Sequence, residues 1–258
     1  SSRSDAERVR AKEQSDGFSY LVGGGDLAWG TGDAGFEVAT DDPYVLQCMG
    51  GGRRHFFSNE TYGDFILRFE FCLRQNGMGG VGLRVQDTGK PLEYYSMGMV
   101  QLIDDEGSCF YDTVNDSPKL KPYQYTGALY GFVPSLRDNS SVTDENGKRF
   151  ARGGSYALQA GEWNSVEIRV VGKTVSVQLN GQWVLNADLS KFGAFECLAD
   201  GMLHPGVINS NGRIAFMSAS GGLQWRNIRI KVLGARVGDA RVSGTHGRSD
   251  QDTVENLT

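Results

Sequence analysis

The sequence has few histidines and prolines, no excess of positive charge and no long apolar run. Among 258 residues there are 3 histidines and 6 prolines, and 26 basic against 31 acidic side chains give a net charge of −5. Proteins that bind the phosphate backbone carry a basic surface, so this balance argues against a nucleic-acid partner. No apolar run approaches the roughly 18 residues of a membrane-spanning helix. We therefore expect neither a nucleic-acid partner nor a transmembrane segment.

Motifs for cofactors and metals are also scarce. The segment Gly30-Thr-Gly-Asp-Ala-Gly35 has the spacing of a dinucleotide-binding loop, but that motif needs a helix after it, and the strand-like run 36–40 follows. His55 and His204 lie outside the polar chain ends, and neither has the surroundings of a known nucleophile motif. The four cysteines are too widely spaced for a CxxC zinc site, and they could be either buried thiols or disulfides. They are Cys48, Cys72, Cys109 and Cys197. We expect no cofactor and no metal.

Glycine and alternating apolar residues are abundant. There are 36 glycines, about twice the average usage of roughly 7%, and they separate short β-rich runs as turns and bulges do. Apolar residues alternate with more polar ones over 65–74 and 81–85, which is typical of strands with one face in the core. Asn180-Gly181 between two further alternating runs indicates a β-hairpin. We predict a three-stranded meander over 163–187 and an all-β sandwich or barrel.

Both ends of the chain differ from its centre. Residues 1–16 and 234–258 are polar and lack an apolar period, which predicts tails on either side of one domain, residues 17–233. Because the tails are too polar to bury a core, we interpret them as docking arms that order on a partner in a multi-subunit complex. The stretch 137–155 is predicted to be a long surface loop. The cellular location stays open, although a signal peptide removed before Ser1 would favour the periplasm or the cell exterior.

A series of short motifs follows in a characteristic order between positions 17 and 231. Near the start lie Gly17-Phe-Ser-Tyr-Leu-Val and Tyr62-Gly-Asp-Phe-Ile-Leu-Arg-Phe-Glu-Phe71. Further motifs are Gly80-Val-Gly-Leu-Arg84, Gln101-Leu-Ile-Asp104-Asp105, Gly127-Ala-Leu-Tyr130, Gly161-Glu-Trp-Asn164, His204-Pro-Gly206 and Trp225-Arg-Asn-Ile-Arg-Ile-Lys231. In this order they resemble the 3-keto-glycoside hydrolase/lyase family.

The resemblance implies a fold and a chemistry. The implied fold is a two-sheet antiparallel jelly-roll β-sandwich, similar to the concanavalin A-like lectins and glucanases, with a carbohydrate ligand on a concave sheet face. The implied reaction is cleavage of oxidised glycosides: a 3-keto group acidifies the C2 proton, and a base then starts elimination of the C1 substituent. If the site is active, the candidate catalytic residues are Asp104 and His204, and the candidate substrate-binding residues are Arg84, Gln101, Glu70 and Tyr130.

Each candidate also has a structural interpretation. Asp104 lies at the end of a strand, where its carboxylate could cap the turn. His204 precedes Pro205-Gly206, so it could serve the turn rather than a ligand. Arg84 and Glu70 could form an ion pair across a sheet, Gln101 could make a cross-strand hydrogen bond, and Tyr130 could be packing.

Strand alternation also makes a geometric prediction for the candidate site. Residues two positions apart on a strand lie on the same face, so Met99 and Gln101 are predicted to share a face. Arg84, on a strand predicted to be adjacent, is expected on that face as well. Leu83 and Val100 are then directed into the core.

The sequence departs from the family pattern where proton transfer would be expected. The family's strand glutamate falls at Met99, and its histidine before the G-x-(I/L)-Y motif falls at Thr126. Two further histidines fall at Arg213 and Ala219, and an asparagine falls at Met78. Thioether, hydroxyl and methyl groups cannot act as bases near pH 7. The sequence therefore supports two hypotheses, a catalytically degenerate domain that binds glycan or protein as an accessory subunit and an active 3-keto-glycoside hydrolase or lyase.

Overall fold

The computed structural model describes residues 3–23, 29–86, 88, 91–104, 111–112, 117–118, 120–132 and 160–234. Two α-helices lie in these ranges, α1 (Arg3–Ser15) and α2 (Leu92–Tyr95), with 3₁₀ turns at Pro122–Gln124, Leu189–Lys191 and Pro205–Ile208. The strands are β1 (Ser19–Tyr20), β2 (Gly30–Gly32), β3 (Phe36–Val38), β4 (Val45–Cys48), β5 (Arg54–Tyr62), β6 (Asp64–Leu73), β7 (Met78–Val85), β8 (Gly98–Ile103), β9 (Tyr111–Asp112), β10 (Ser117–Pro118), β11 (Trp163–Val171), β12 (Thr174–Leu179), β13 (Gln182–Asp188), β14 (Gly212–Ser218) and β15 (Leu223–Leu233).

Two antiparallel sheets form a jelly-roll sandwich. The eight-stranded sheet has the order β13-β12-β11-β6-β15-β4-β3, and β1 also pairs with β15. The five-stranded sheet has the order β2-β5-β14-β7-β8, and β9 pairs with β10 separately. Every pairing between the described strands is antiparallel. The predicted all-β fold is confirmed, and α2 is the one α-helix described between residues 17 and 233.

The main core lies between the two sheets. One face of β6 is at most 5% exposed along its whole length and consists of Phe65, Leu67, Phe69, Phe71 and Leu73. The ring of Phe69 meets that of Phe216 from the five-stranded sheet edge-on, with 5.8 Å between centroids. Trp225, which is 0% exposed, packs against the same Phe216 ring. Burying each such side chain stabilises the fold by about 1.5–3 kcal/mol, so this face fixes the register of β6.

The predicted meander is confirmed as β11, β12 and β13. The turn between β12 and β13 contains Asn180 at φ 51° and Gly181 at φ 80°. Two successive residues at positive φ are what a two-residue type I′ hairpin requires, and Asn-Gly is the pair that adopts them most readily.

Arg84 breaks the alternation of β7. Its φ is 49°, and the pairing of β7 with β14 shifts register close by, so Leu83 lies in the main core while Val85 lies on the opposite face. The Arg84 side chain is 1% exposed and reaches the other sheet, where Nη2 donates to Asp64 Oδ1 at 2.8 Å and Nη1 donates to the Gly172 carbonyl at 2.7 Å. The prediction that Arg84 shares a face with Gln101 is therefore wrong, because left-handed backbone is rare for arginine and leaves no mark in the sequence.

Helix α1 is ordered on its own domain. Glu13 lies against the outer face of the eight-stranded sheet, where its carboxylate accepts hydrogen bonds from Arg68 at 3.2 Å, Arg229 at 2.8 Å and the Tyr20 hydroxyl at 2.9 Å. The expectation that residues 1–16 need a partner in order to fold is therefore wrong for 3–15. The predicted loop 137–155 and all but Gly234 of the predicted tail 234–258 lie outside the described residues.

Three cysteines are described, and all three are free thiols. Cys48 is buried, Cys72 is half-buried and Cys197 is exposed. Burial raises the pKa of Cys48 and Cys72, which keeps both in the unreactive thiol form. Among the described helices none has the length and apolar character to cross a membrane.

The Arg84 contacts predict a large stability effect. We expect Arg84→Ala to lower the free energy of unfolding by about 3 kcal/mol, because it removes the charged partner of Asp64 and the guanidinium that donates to the Gly63, Gly172 and Asn209 carbonyls, and it leaves a cavity between the sheets. Arg169→Ala is the matched control, since Arg169 is 46% exposed and pairs with Glu167 on the outer face, where such pairs contribute about 1 kcal/mol or less. Urea unfolding measures both, and equal midpoints for the two variants would contradict the role assigned to Arg84.

Candidate functional site

The candidate site lies on the face of the five-stranded sheet that points away from the main core, which we call the site face. Strand register places two rows of residues across it. One row is Phe57, Ala215, Gly82 and Met99, and the next is His55, Met217, Gly80 and Gln101. Neighbouring strands lie about 4.8 Å apart, so each row spans roughly 14 Å. Leu83 and Val100 face the main core, which confirms the predicted alternation of β8 and of the first part of β7.

Glycines on β7 make room for side chains that lie flat on the site face. A Cβ at Gly82 would be 2.5 Å from Leu92 Cδ2, and one at Gly80 would be 3.0 Å from Met99 Cγ. Leu92 and Met99 belong to a small apolar cluster on this face, whose members are Val85, Leu92, Met99, Ala215 and Met217, flanked by Phe57 and Tyr130. Its five core members are at most 3% exposed, so the cluster is a second, smaller core that underlies the candidate site as its floor.

Three tyrosines stand beside this floor. The rings of Tyr123 and Tyr130 meet edge-on at 5.8 Å and 89°, and Tyr94 comes from α2. Burial, reinforced by the neighbouring Tyr94 and Asp200, raises the pKa of Tyr130 to about 12. The phenol therefore stays neutral at physiological pH, where it donates and accepts hydrogen bonds without ionising.

Helix α2 contributes a carboxylate that the sequence analysis missed. The side chain of Glu93 is 7% exposed, and its Oε1 accepts a hydrogen bond from Arg53 Nη1 at 2.5 Å. Glu93 Oε2 and Gln101 Oε1 are buried and have no hydrogen-bond partner among the described residues. Helix α2 has four residues, too few for a helical period to appear in the sequence, and Glu93 belongs to no recognisable motif.

His204 lies beneath α2 and holds it in place. Its ring is 0% exposed, with Nδ1 3.2 Å from the Glu93 carbonyl oxygen and Nε2 2.9 Å from Asp200 Oδ2. Gly131, at φ 80°, leaves space for the ring, since a Cβ there would be 2.5 Å from His204 Cε1. Gly206 similarly allows close approach to α2, because its Cβ would be 2.4 Å from the Ser96 carbonyl. His204 is thus a positioning residue in this structure, shielded from any ligand on the site face.

The other candidates lie away from the site face. Asp104 Oδ2 accepts a hydrogen bond from the Asn76 amide at 2.8 Å, which caps the turn between β6 and β7. Glu70 lies on the outer face of the eight-stranded sheet and binds Arg226 and Asn227, each at 2.8 Å. The anticipated ion pair between Arg84 and Glu70 is wrong, because these residues lie on different faces of different sheets. The structure brings two predicted binding residues together on the site face, Gln101 and Tyr130.

Two of the positions that depart from the family pattern have clear surroundings. Met99 is 3% exposed on the site face. Thr126 is 0% exposed, and its hydroxyl donates to the Ile103 carbonyl at 2.7 Å and accepts from the Ile103 amide at 3.1 Å. Thr126 therefore fastens the segment 120–132 to β8. Among the described residues, no group of three or more His, Cys, Asp and Glu side chains is arranged to hold a metal ion.

The contacts of His204 predict a structural effect. We expect His204→Ala to lower the free energy of unfolding by about 3 kcal/mol, because it leaves Oδ2 of the buried Asp200 carboxylate without its ring partner and opens a cavity under α2, while Oδ1 keeps the Met202 amide. His55→Ala is the control, since the described ion pair of His55 is with the half-exposed Asp33 at 3.5 Å. Thermal unfolding compares the two, and a His204→Ala protein as stable as wild type would contradict this assignment.

Known proteins share both the fold and the sequence pattern. Two crystal structures from Parabacteroides distasonis, both provisionally described as glycosyl hydrolases, superpose with TM-scores of 0.64 and 0.66 at 21% and 20% identity. The matches cover 84% and 86% of this chain and 99% and 97% of the others, and at such identities they show the fold. No curated protein matches the sequence. Residues 16–231 match the model of the 3-keto-alpha-glucoside-1,2-lyase-like domain, and the chain belongs to that family.

Proposed function

We propose that this protein is a catalytically degenerate member of its family that binds a glycan on the site face as a binding or accessory subunit. The observation that carries the proposal is Met99. By the sequence resemblance it falls at the position of the family's strand glutamate, and its side chain is 3% exposed within an apolar cluster. A thioether has no proton to give and does not accept one near neutral pH. The position therefore contributes packing where the reaction would need a base.

The surroundings of Met99 support binding of a sugar. Tyr94 and Tyr130 are partly exposed beside an apolar floor, which suits the C–H surface of a pyranose, and the buried Tyr123 packs against Tyr130. Gln101 adds a buried carbonyl oxygen that has no partner among the described residues and can accept a hydroxyl hydrogen bond. An apolar surface with a few convergent polar groups is the usual composition of a small-molecule site. The family's α-glucoside chemistry makes an α-glucoside the first ligand to test.

The accessory role is a further part of the proposal. Helix α1 precedes the family match, which begins at residue 16. It is fixed to the domain through Glu13 and leaves Val9 58% exposed. A helix that is already docked on its own domain offers a partner surface without a further ordering cost, and we propose that α1 and residues 234–258 contact other subunits.

An active enzyme is the second candidate, and Glu93 is the observation that favours it. Its carboxylate lies over the same face as Met99, is held by Arg53 and keeps Oε2 free of described partners. A carboxylate supplied by α2 in place of the strand glutamate could accept a C2 proton. Asp104 and His204 are less suited to that role, since their hydrogen bonds are made within the fold.

One comparison tests the proposal. We expect wild-type protein to bind methyl α-glucoside in saturation-transfer NMR but to leave methyl 3-keto-α-glucoside intact, because a single acid or base contributes roughly 10²–10⁴-fold and the strand glutamate is gone. Tyr130→Ala should weaken binding about tenfold through loss of ring contact. Tyr44→Ala is the matched control, since Tyr44 packs under Arg10 of α1 at 4.2 Å on the other sheet.

Two outcomes would count against the proposal. Absence of binding to either sugar would remove the glycan-binding function. Robust wild-type turnover that Glu93→Gln abolishes would establish the enzyme instead, with Glu93 as its base.

A further inference from the structure

A cleft of about 550 Å³ separates α1 from the part of the domain that it faces, and we call it the helix cleft. One wall is a face of α1 and consists of Glu7, Arg10, Ala11 and Gln14. The opposite wall comes from β1 and the segments near it and consists of Tyr20, Leu21, Gly23, Trp29 and Tyr44. Binding pockets have volumes of roughly 300–1,000 Å³, so the helix cleft is large enough for a ligand. None of its lining residues belongs to the site face, so it is a separate surface.

The wall opposite α1 presents three aromatic rings. The rings of Tyr20 and Tyr44 meet edge-on, with 6.3 Å between their centroids and 81° between their planes. The Tyr20 hydroxyl donates to Glu13 at 2.9 Å, and Trp29 Nε1 donates to the Tyr62 hydroxyl at 3.3 Å. The polar ends of Tyr20 and Trp29 are therefore bound within the fold. What these two residues offer a ligand is ring surface that is already held in place.

Hydrogen-bond donors lie beside the rings. The guanidinium of Arg10 lies over the Tyr44 ring, 4.2 Å from its centroid, and the donors of a guanidinium lie at the edge of its plane. Gln14 is exposed, and its amide adds further N–H groups. Ring surface with donors beside it matches a ligand that has apolar faces and many hydrogen-bond acceptors.

The walls favour contact with side chains over the addition of a strand. Strand β1 has two residues, both paired with β15, and the Leu21 amide donates to the Ile228 carbonyl at 2.8 Å. This backbone is too short to serve as a template for an added strand. A polyproline II segment needs no such template, because its proline rings pack on aromatic side chains and its carbonyls accept from donors beside them.

The length of the cleft also suits polyproline II. The wall supplied by α1 runs from Glu7 to Gln14, which at the rise of an α-helix is roughly 10 Å. One turn of polyproline II spans roughly 9 Å. The helix cleft therefore accommodates about one turn of such a segment.

We propose that the helix cleft binds a proline-rich segment of a partner protein in the polyproline II conformation. This deepens the accessory role proposed for α1 and rests on it, since it names the chemistry of the partner. Arg10 and Gln14 donate to the carbonyls of the segment, and the rings of Tyr20, Trp29 and Tyr44 pack against its prolines. The occupant is another protein rather than a second copy of this chain, because the 6 prolines of this sequence include no two that are adjacent or three positions apart.

Indole resonances test the proposal, because one of the 4 tryptophans lines the helix cleft. A synthetic oligoproline peptide is titrated into the ¹⁵N-labelled full chain, with a glycine-serine peptide of equal length as the control probe. We expect oligoproline to shift the Trp29 indole resonance saturably and to leave those of Trp163, Trp183 and Trp225 unchanged. The glycine-serine peptide should shift none of them, because it has no rings to pack on aromatic side chains.

Variants test the contact itself. Tyr44→Ala should weaken oligoproline binding about tenfold, because it removes an aromatic anchor of the contact. Trp183→Ala is the matched control and should keep the wild-type affinity: it also removes a half-buried aromatic side chain, but from β13 at the opposite edge of the eight-stranded sheet. If Tyr44→Ala does not fold, Ala11→Arg serves instead, since a long side chain there fills the cleft from α1. Its control is Val9→Arg, because Val9 is 58% exposed and does not line the cleft.

The outcomes separate peptide binding from glycan binding. Absence of a saturable Trp29 shift, or an unchanged affinity in the folded cleft variant, would overturn the inference. A Trp29 shift with methyl α-glucoside and none with oligoproline would also overturn it, since the cleft would then be a sugar site. Methyl α-glucoside binding on the site face is measured on the same sample, so a failure of the proposed glycan binding and a failure of peptide binding are distinct results.

Discussion

The guanidinium of Arg84 is the interaction on which the arrangement of this domain depends. It reaches from the five-stranded sheet to Asp64 and Gly172 of the other sheet, and its backbone carbonyl accepts from Asn209 Nδ2 at 2.9 Å. The same Asn209 amide donates to Tyr95 at the end of α2. The two sheets and the helix that carries Glu93 are thus joined through Arg84 and Asn209. The positive φ of Arg84 also turns Val85 onto the site face, where it completes the apolar floor.

The floor and the rim of the site have different physical tasks. Gly82 and Gly80 let Leu92 and Met99 lie close to the sheet, so that α2 is carried by apolar contact. The polar atoms of the site are supplied by Glu93 of α2, by Arg53, which binds Glu93, and by Gln101 of β8. In the proposed function, Met99 at the position of the family's strand carboxylate removes proton transfer without removing the surface against which a sugar packs. We therefore propose that a sugar still binds on this face although the chemistry has been lost.

Much of the fold follows from the sequence, and the site follows less well. The alternation of apolar and polar residues and the Asn180-Gly181 turn predict strands, because both the burial of one strand face and the geometry of a hairpin turn depend on residues that are close in sequence. The same period placed Gln101 on the site face correctly. The alternation rule failed at Arg84, because a residue at positive φ moves the side chains that follow it to the opposite face of the sheet. Arginine rarely adopts positive φ, so the sequence does not indicate this change. Glu13 and Glu93 are single charged side chains whose partners are distant in sequence, so neither the docking of α1 nor the rim of the site was predictable.

Methyl NMR tests the central claim most directly, because the methionines mark different faces. Met99 and Met217 lie in the floor of the site, Met97 lies in the main core and Met49 is 59% exposed at the end of β4. With ¹³C-methyl methionine, addition of methyl α-glucoside should shift the resonances of Met99 and Met217 saturably and leave Met97 and Met49 unchanged. Saturable shifts at Met49 alone, or none at Met99 and Met217 in the presence of bound sugar, would contradict a glycan site on this face.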